Sequence, residues 1–265
     1  MNDQAAFFGG SIPENYDAGL GPHIFADFAG ELAARVAAED PKTVLELAAG
    51  TGIVTRCLRD ALPLDCRLVA TDLSLVMLGI AAAKFDPGEE VTFEEVDAMG
   101  LPYDDHTFDC LACQFGVMFF PDKVESFKEA RRVLKPGGVY HLNVWDGWDS
   151  NPFGRIVHEA VEKFFQKDTP QFYKVPFSYP DPEVIEADLK AGGFEEIAIE
   201  TVNFVKEIDY PLFVQGLLHG NPVAAEIEER GANIEEITNA VEAALKSEFG
   251  DPGEMPLRAL FVRAG

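Results

Sequence analysis

Three carboxylates follow short apolar runs in this chain: Glu46 in "TVLELAAGTG", Asp72 in "RLVATDLS" and Asp97 in "VTFEEVDAMGLP". The first lies beside a turn of small residues, Ala48, Gly50 and Gly52, of the kind that lets a backbone come close to a nucleotide-like ligand. A dinucleotide site would carry G-x-G-x-x-G, but Thr55 stands where the last glycine would fall. A carboxylate at such a turn disfavours a pyrophosphate and favours a positively charged group. Asp72 falls 20 residues beyond Gly52, where an acid accepts from both hydroxyls of a ribose. Asp97 is suited to accept from the exocyclic amine of a base. An ammonium, a ribose diol, an adenine amine and no phosphate together describe S-adenosylmethionine.

These acids need a scaffold that brings successive strand ends together. Strands read at 43–47, 67–71, 91–95, 108–114 and 138–145, and helices at about 52–62, 74–84 and 122–134, the last closed by "KPGG". "PHIFADFAGELAARVAA" places Ile24, Phe25, Phe28, Leu32 and Val36 near one helical face. Strand–helix alternation with apolar strands implies a parallel sheet covered on both faces, with ligands at the carboxyl ends of the strands. After 145 the pattern breaks: a helix near 153–167, another at 182–191, a strand at 194–206, a mostly helical stretch at 209–249 and a final strand in "PLRALFVRA". We expect a single domain over 1–265, with a core of about 31–145, 181–206 and 256–265 and lid-like additions at 1–30, 146–180 and 209–249.

Composition narrows the partners. The 265 residues carry 46 acidic against 21 basic side chains, a net charge of −25, which argues against nucleic acid and anionic membranes as partners. Cys110 and Cys113 form a C-x-x-C inside an apolar run, and Cys57 and Cys66 stand apart, so core thiols rather than a metal site or a disulfide framework are expected. The N-terminus shows no signal peptide and no stretch suits a membrane span, which makes the expected location cytoplasmic.

The ordered motifs resemble those of class I S-adenosylmethionine-dependent methyltransferases, in the ubiquinone/menaquinone-biosynthesis-like branch. "VLELAAGTG" is similar to the first motif with Ala48 in place of a glycine, "ATDLSLVML" to the second, "VDAMGLPYDDHTFD" to the third, and "FKEARRVLKPGGVYHLNVW" to the turn into the fifth strand. The resemblance covers about 43–145 and implies an α/β, Rossmann-like, doubly wound sheet of seven strands, the last antiparallel, with helical lid insertions. It implies a cofactor site of Glu46, Ala48, Gly50, Gly52, Asp72, Leu73, Met77, Asp97, Ala98, Gln114 and Phe115, with Tyr16 closing over it. The reaction it implies is in-line methyl transfer from S-adenosylmethionine, giving S-adenosylhomocysteine, to a small-molecule acceptor. An accessory protein that binds the cofactor without transferring the methyl is the alternative.

Methyl transfer from a sulfonium rests mainly on alignment and water exclusion, and no catalytic residue stands out. Tyr16, His23, Tyr103, His141, His158, Tyr173, Tyr179 and His219 are the candidates for a base or substrate contact, with a packed, hydrogen-bonded role expected for His141. Aromatics crowd the additions, among them Phe7, Phe8, Trp145, Trp148, Phe153, Phe172, Phe177 and Phe213. They form either the lid's own core or the wall of a pocket for a flat, apolar acceptor.

Overall fold

The structure is a computed structural model, and it describes residues 10–265. Phe7 and Phe8 lie outside the described residues. One seven-stranded sheet organises the chain: β1 (Thr43–Glu46), β2 (Arg67–Asp72), β3 (Val91–Glu95), β4 (Phe108–Gln114), β5 (Leu134–Trp145), β6 (Ile197–Glu207) and β7 (Glu254–Ala264). Their order is β3-β2-β1-β4-β5-β7-β6. The first five strands are parallel, and β7 runs antiparallel between β5 and β6. The order reverses between β1 and β4, which opens a crevice at their carboxyl ends.

Burial explains the strand types. β4 is covered on both faces, so "FDCLACQ" reads as a nearly continuous apolar run, whereas β6 on the sheet edge alternates between half-buried and exposed positions. Cys110 and Cys113 are fully buried free thiols, and burial pushes Cys113 up to about 12. β5 begins at Leu134, earlier than the sequence suggests. "KPGG" does end the helix before it, but it then forms an irregularity inside the strand, where the register with β4 shifts between Phe108 and Cys110.

The helices are α1 (Ile12–Asn15), α2 (Ala26–Ala38), α3 (Ile53–Ala61), α4 (Leu75–Ala82), α5 (Lys123–Val133), α6 (Pro152–Glu162), α7 (Pro182–Ala191), α8 (Tyr210–His219), α9 (Val223–Glu229) and α10 (Ile234–Phe249). Their starts carry local signals: the side chains of Ser74, Asp122, Asp181, Asp209 and Asn233 accept from first-turn N–H groups. On α2, Phe28 is fully buried with Phe115, Trp145, Phe204 and Phe261 around its ring. That cluster fastens α2 to the sheet beside the crevice.

Between α1 and α2 the chain is π-helical over Tyr16–Phe25, with Pro22 inside it. Wide helical turns of this kind occur mainly at functional sites. Here tertiary contact holds the turn. A Cβ on Gly19 would lie 2.5 Å from the Gly216 Cα, so α8 crosses at backbone contact. His23 completes the joint: its Nε2 accepts from the Asp209 N–H at 3.2 Å, which leaves Nδ1 to donate to the Gly19 carbonyl at 2.7 Å.

Candidate functional site

A cleft of about 430 Å³ opens at the β1/β4 switch point. Tyr16, Ala48, Gly50, Asp72, Leu73, Met77, Asp97, Ala98, Gln114 and Phe115 all line it. Each comes from a strand end or the turn that follows it, apart from Met77 on α4 and Tyr16 on the π-helix. Glu46 and Gly52 do not reach the wall. Gly52 sits at the start of α3 with φ of 80°, packed on Ala81. Glu46 lies behind the turn at 1% exposure.

The cleft is negative. Asp72 Oδ2 accepts from the Gly50 N–H and Oδ1 from the Ser74 N–H, both at 2.8 Å, so the second carboxylate shapes the glycine turn that it faces. Burial raises the Asp72 carboxyl above its ordinary value, and these N–H groups offset part of that rise. Burial also pushes Glu46 up to about 8; Thr55 beside it offsets part of the rise and the charge of Asp72 adds to it. Glu46 Oε2 has no hydrogen-bond partner among the described residues. Asp97 Oδ1 accepts from Met99 N–H at 3.0 Å, and Glu226 joins the rim. Among the described residues, no Lys or Arg lines the cleft. A buried, unsatisfied carboxyl beside a carboxylate-lined cleft lacks a cationic donor, and the ammonium of S-adenosylmethionine fits that description.

An aromatic chamber of about 60 Å³ adjoins the cleft, with Tyr16, Phe115, Phe119 and Phe172 belonging to both. Phe115 has φ of 50° and stacks on Trp145 with ring centroids 4.0 Å apart. Its backbone is pinned by Asn143, whose carbonyl and side-chain oxygens accept from the Phe115 N–H at 3.0 and 3.1 Å. Gln114 bonds Asn143 and the Phe25 carbonyl, tying the end of β4 to the π-helix. Tyr16 stacks on Phe25 at 5.1 Å. Its neighbour Asp17 accepts from the Thr51 hydroxyl at 2.6 Å and pairs with Lys84. That clasp joins the π-helix to the glycine turn and to the chain just after α4.

Of the other candidate bases, only Tyr173 lines the chamber, where its hydroxyl donates to the Leu217 carbonyl. His23 spends both ring nitrogens in the joint described above. His141 is buried against Glu39 at 3.1 Å, a packed, hydrogen-bonded role. Tyr103 bonds Glu94, Tyr179 bonds Asp188 at 2.7 Å, His158 packs on Trp148, and His219 stands in the last turn of α8. The chamber is therefore built to hold and orient.

Phe172, named among the aromatics of the additions, lines both spaces, but sequence reading missed the rest of that far wall: Gln171 and Val175, with Pro222 and Glu226 further along, and Asn221 in the chamber. Their only signal is the aromatic content of the additions. Gly116 was legible neither as a turn nor as a site.

A methyltransferase-domain family model matches residues 44–138. The chain is 33% identical over 165 residues to the demethylmenaquinone methyltransferase of Thermus thermophilus, spanning 58% of this chain and 74% of that one. Its fold is similar to the YcgJ protein from Bacillus subtilis, with TM-score 0.58, 18% identity and coverage of 90% and 97%. It is also similar to phosphoethanolamine N-methyltransferase 2 of Haemonchus contortus, solved with S-adenosylhomocysteine, with TM-score 0.59, 19% identity and coverage of 95% and 56%.

Fold, site and relatives together define a class I, S-adenosylmethionine-dependent methyltransferase. Within that class the chain belongs to the ubiquinone/menaquinone-biosynthesis-like branch, and it transfers a methyl group from S-adenosylmethionine to a small-molecule acceptor. Among the described residues, no helix is long and apolar enough to cross a membrane.

Proposed function

We propose that the cleft holds S-adenosylmethionine and that the chamber holds a flat, apolar ring as the methyl acceptor. In this reading Glu46 ionises against the cofactor ammonium and Asp72 accepts from the ribose hydroxyls. Asp97 and Ala98 meet the adenine edge, Leu73 and Met77 flank the base, and Ala48, Gly50 and Gly52 let the backbone pass close. Gln114 and Phe115 separate cofactor from acceptor, and Tyr16 covers the cofactor. When bound, the cofactor supplies an activated methyl on a sulfonium. The protein's part is to align the acceptor behind that methyl and to exclude water.

The observation that carries this reading is the adjacency of the two spaces, which share four wall residues, one rimmed by carboxylates and the other walled by aromatic rings. A quinol-type ring suits it, as the name of the Thermus relative also suggests. The chamber offers no histidine or carboxylate to a weakly acidic nucleophile, which favours an acceptor whose carbon is already electron-rich. The acidic rim and net charge of −25 favour small neutral or cationic acceptors over nucleic acid or lipid surfaces. The four free thiols support a reducing, cytoplasmic setting. We also take the chain as one domain with lid-like segments at 1–30, 146–180 and 209–249, of which the last two supply the far wall of both spaces.

A transfer assay with labelled cofactor tests this. The one-ring quinol hydroquinone (benzene-1,4-diol) should be labelled in preference to aliphatic amines and thiols. Labelling confined to amines or nucleic acid would refute the aromatic acceptor, and absence of any transfer would favour an accessory role.

A further inference from the structure

We propose that Asn221 determines acceptor specificity, with its side-chain carbonyl accepting a hydrogen bond from a hydroxyl or N–H on the acceptor ring. This rests on the reading above that the chamber takes that ring.

Size sets the first limit. A chamber of about 60 Å³ has room for about four to six waters, at about 10–15 Å³ each, so it takes no more than one ring of the acceptor. Its walls are aliphatic and aromatic, with polar side-chain atoms at Tyr16, Tyr173, Asn221 and the indole of Trp145, which stacks on Phe115. Tyr16 belongs also to the cofactor cleft. The polar end of the chamber is therefore the Tyr173–Asn221 pair, built from the segment after α6 and the turn after α8.

Hydrogen bonding at this end leaves one atom to spare. The Tyr173 hydroxyl donates to the Leu217 carbonyl, and Asn221 Nδ2 donates to that same carbonyl at 3.0 Å and to the Tyr173 hydroxyl at 3.3 Å. A carbonyl only accepts, so the amide nitrogen must face it, and the orientation of the amide follows from chemistry. Both amide hydrogens are thereby used. No hydrogen bond among the described residues reaches Oδ1, although the side chain is only 4% exposed. Asn221 lines the chamber, and an amide oxygen that has no donor in so largely apolar a space is costly to leave unpaired. It is matched by a ligand that brings a donor, and it rejects an isosteric ring without one.

The test uses three one-ring probes, phenol, anisole and toluene, titrated by ligand-detected NMR into the protein loaded with S-adenosylhomocysteine. Phenol should bind at least about fivefold more tightly than anisole, the lower end of the penalty for an unsatisfied buried acceptor. In Asn221→Leu that preference should vanish while toluene binds at least as well. Tyr173→Phe, which leaves the amide oxygen in place, should keep it. Equal binding of phenol and anisole to the unmodified protein, which requires no variant to fold, would overturn the role of Asn221. So would a preference that survives in Asn221→Leu or disappears in Tyr173→Phe. Binding of none of the three would overturn the aromatic-acceptor reading, and this proposal with it.

Discussion

Ala48 and Gly116 face each other across the β1/β4 switch point. Ala48 is left-handed, with φ of 53°, and a Cβ on Gly116 would lie 2.6 Å from the Ala48 methyl and 2.8 Å from Cys113 Sγ. The motif that this turn resembles has a glycine where this chain has Ala48; the methyl stands in a left-handed backbone and takes up room opposite. The glycine at 116 accommodates it. Gly116→Ala should therefore destabilise by about 1–3 kcal/mol, the usual cost of overpacking. Ala48→Gly added to it should recover part of that loss, because Cys113 remains in the way, and should also relieve a left-handed strain of about 1–2 kcal/mol. Urea melts of the two single variants and the double variant measure this coupling. Strict additivity would show that the two positions do not compete for space.

On the proposed placement of the cofactor, Glu46 should trade stability for binding. Its folded-state pKa is raised from 4.5 to about 8, so above pH 4.5 the unfolded chain ionises this group while the fold keeps it protonated. The fold loses stability as pH rises from about 4.5 to 8, at about 1.4 kcal/mol per unit. Glu46→Gln should stabilise the ligand-free protein by about 1–3 kcal/mol at pH 7, with little effect at pH 4.5. Cofactor binding should be weaker in this variant and should lose the rise in affinity between pH 5.5 and 7.5 that comes from releasing the Glu46 proton. Thermal melts across pH with and without S-adenosylhomocysteine follow both arms. A variant less stable at pH 7 and unchanged in binding would contradict them.

How much of this could be read from the chain depends on the range of the forces involved. Glu46 and Asp72 were legible because each ends an apolar run that only a buried strand explains, Asp97 because it follows the strand-like "VTFEEV" at the sheet edge, and sheet order brings the three strand ends together. The wide helix at Tyr16–Phe25 was not legible. Its turn is held by backbone contact with Gly216, nearly 200 residues away, and "PHIFADF" reads equally well as an ordinary amphipathic helix. The start of β5 was misjudged for a local reason, because Pro and Gly signal a stop without telling a loop from an irregular strand. Asn221 carries no pattern at all; its meaning arises from Tyr173 and Leu217 folding onto it.

The Asp17 clasp should set how firmly Tyr16 sits over the cofactor. An exposed ion pair alone contributes little, but Asp17 also accepts from the buried hydroxyl of Thr51 at 2.6 Å. Asp17→Ala should speed dissociation of S-adenosylhomocysteine by about three- to tenfold, less than the roughly 1.5–3 kcal/mol of a lost charge-assisted bond because Asp17 acts on the cofactor through its neighbour Tyr16. Lys84→Met should have a smaller effect that fades at high salt. Stopped-flow chase experiments resolve these rates. An unchanged dissociation rate in Asp17→Ala would separate the clasp from cofactor retention.

The placement of S-adenosylmethionine at the β1/β4 crevice is tested most directly by calorimetric titration of S-adenosylhomocysteine into the protein and into Asp72→Ala. Asp72 lines the cleft and holds the Gly50 and Ser74 N–H groups, so losing it removes a charged acceptor for the ribose and loosens the turn. One molecule should bind per chain, and the variant should bind it more weakly by about 1.5–3 kcal/mol, roughly ten- to a hundredfold. Equal affinity in the two proteins, with the variant fully folded, would contradict the placement.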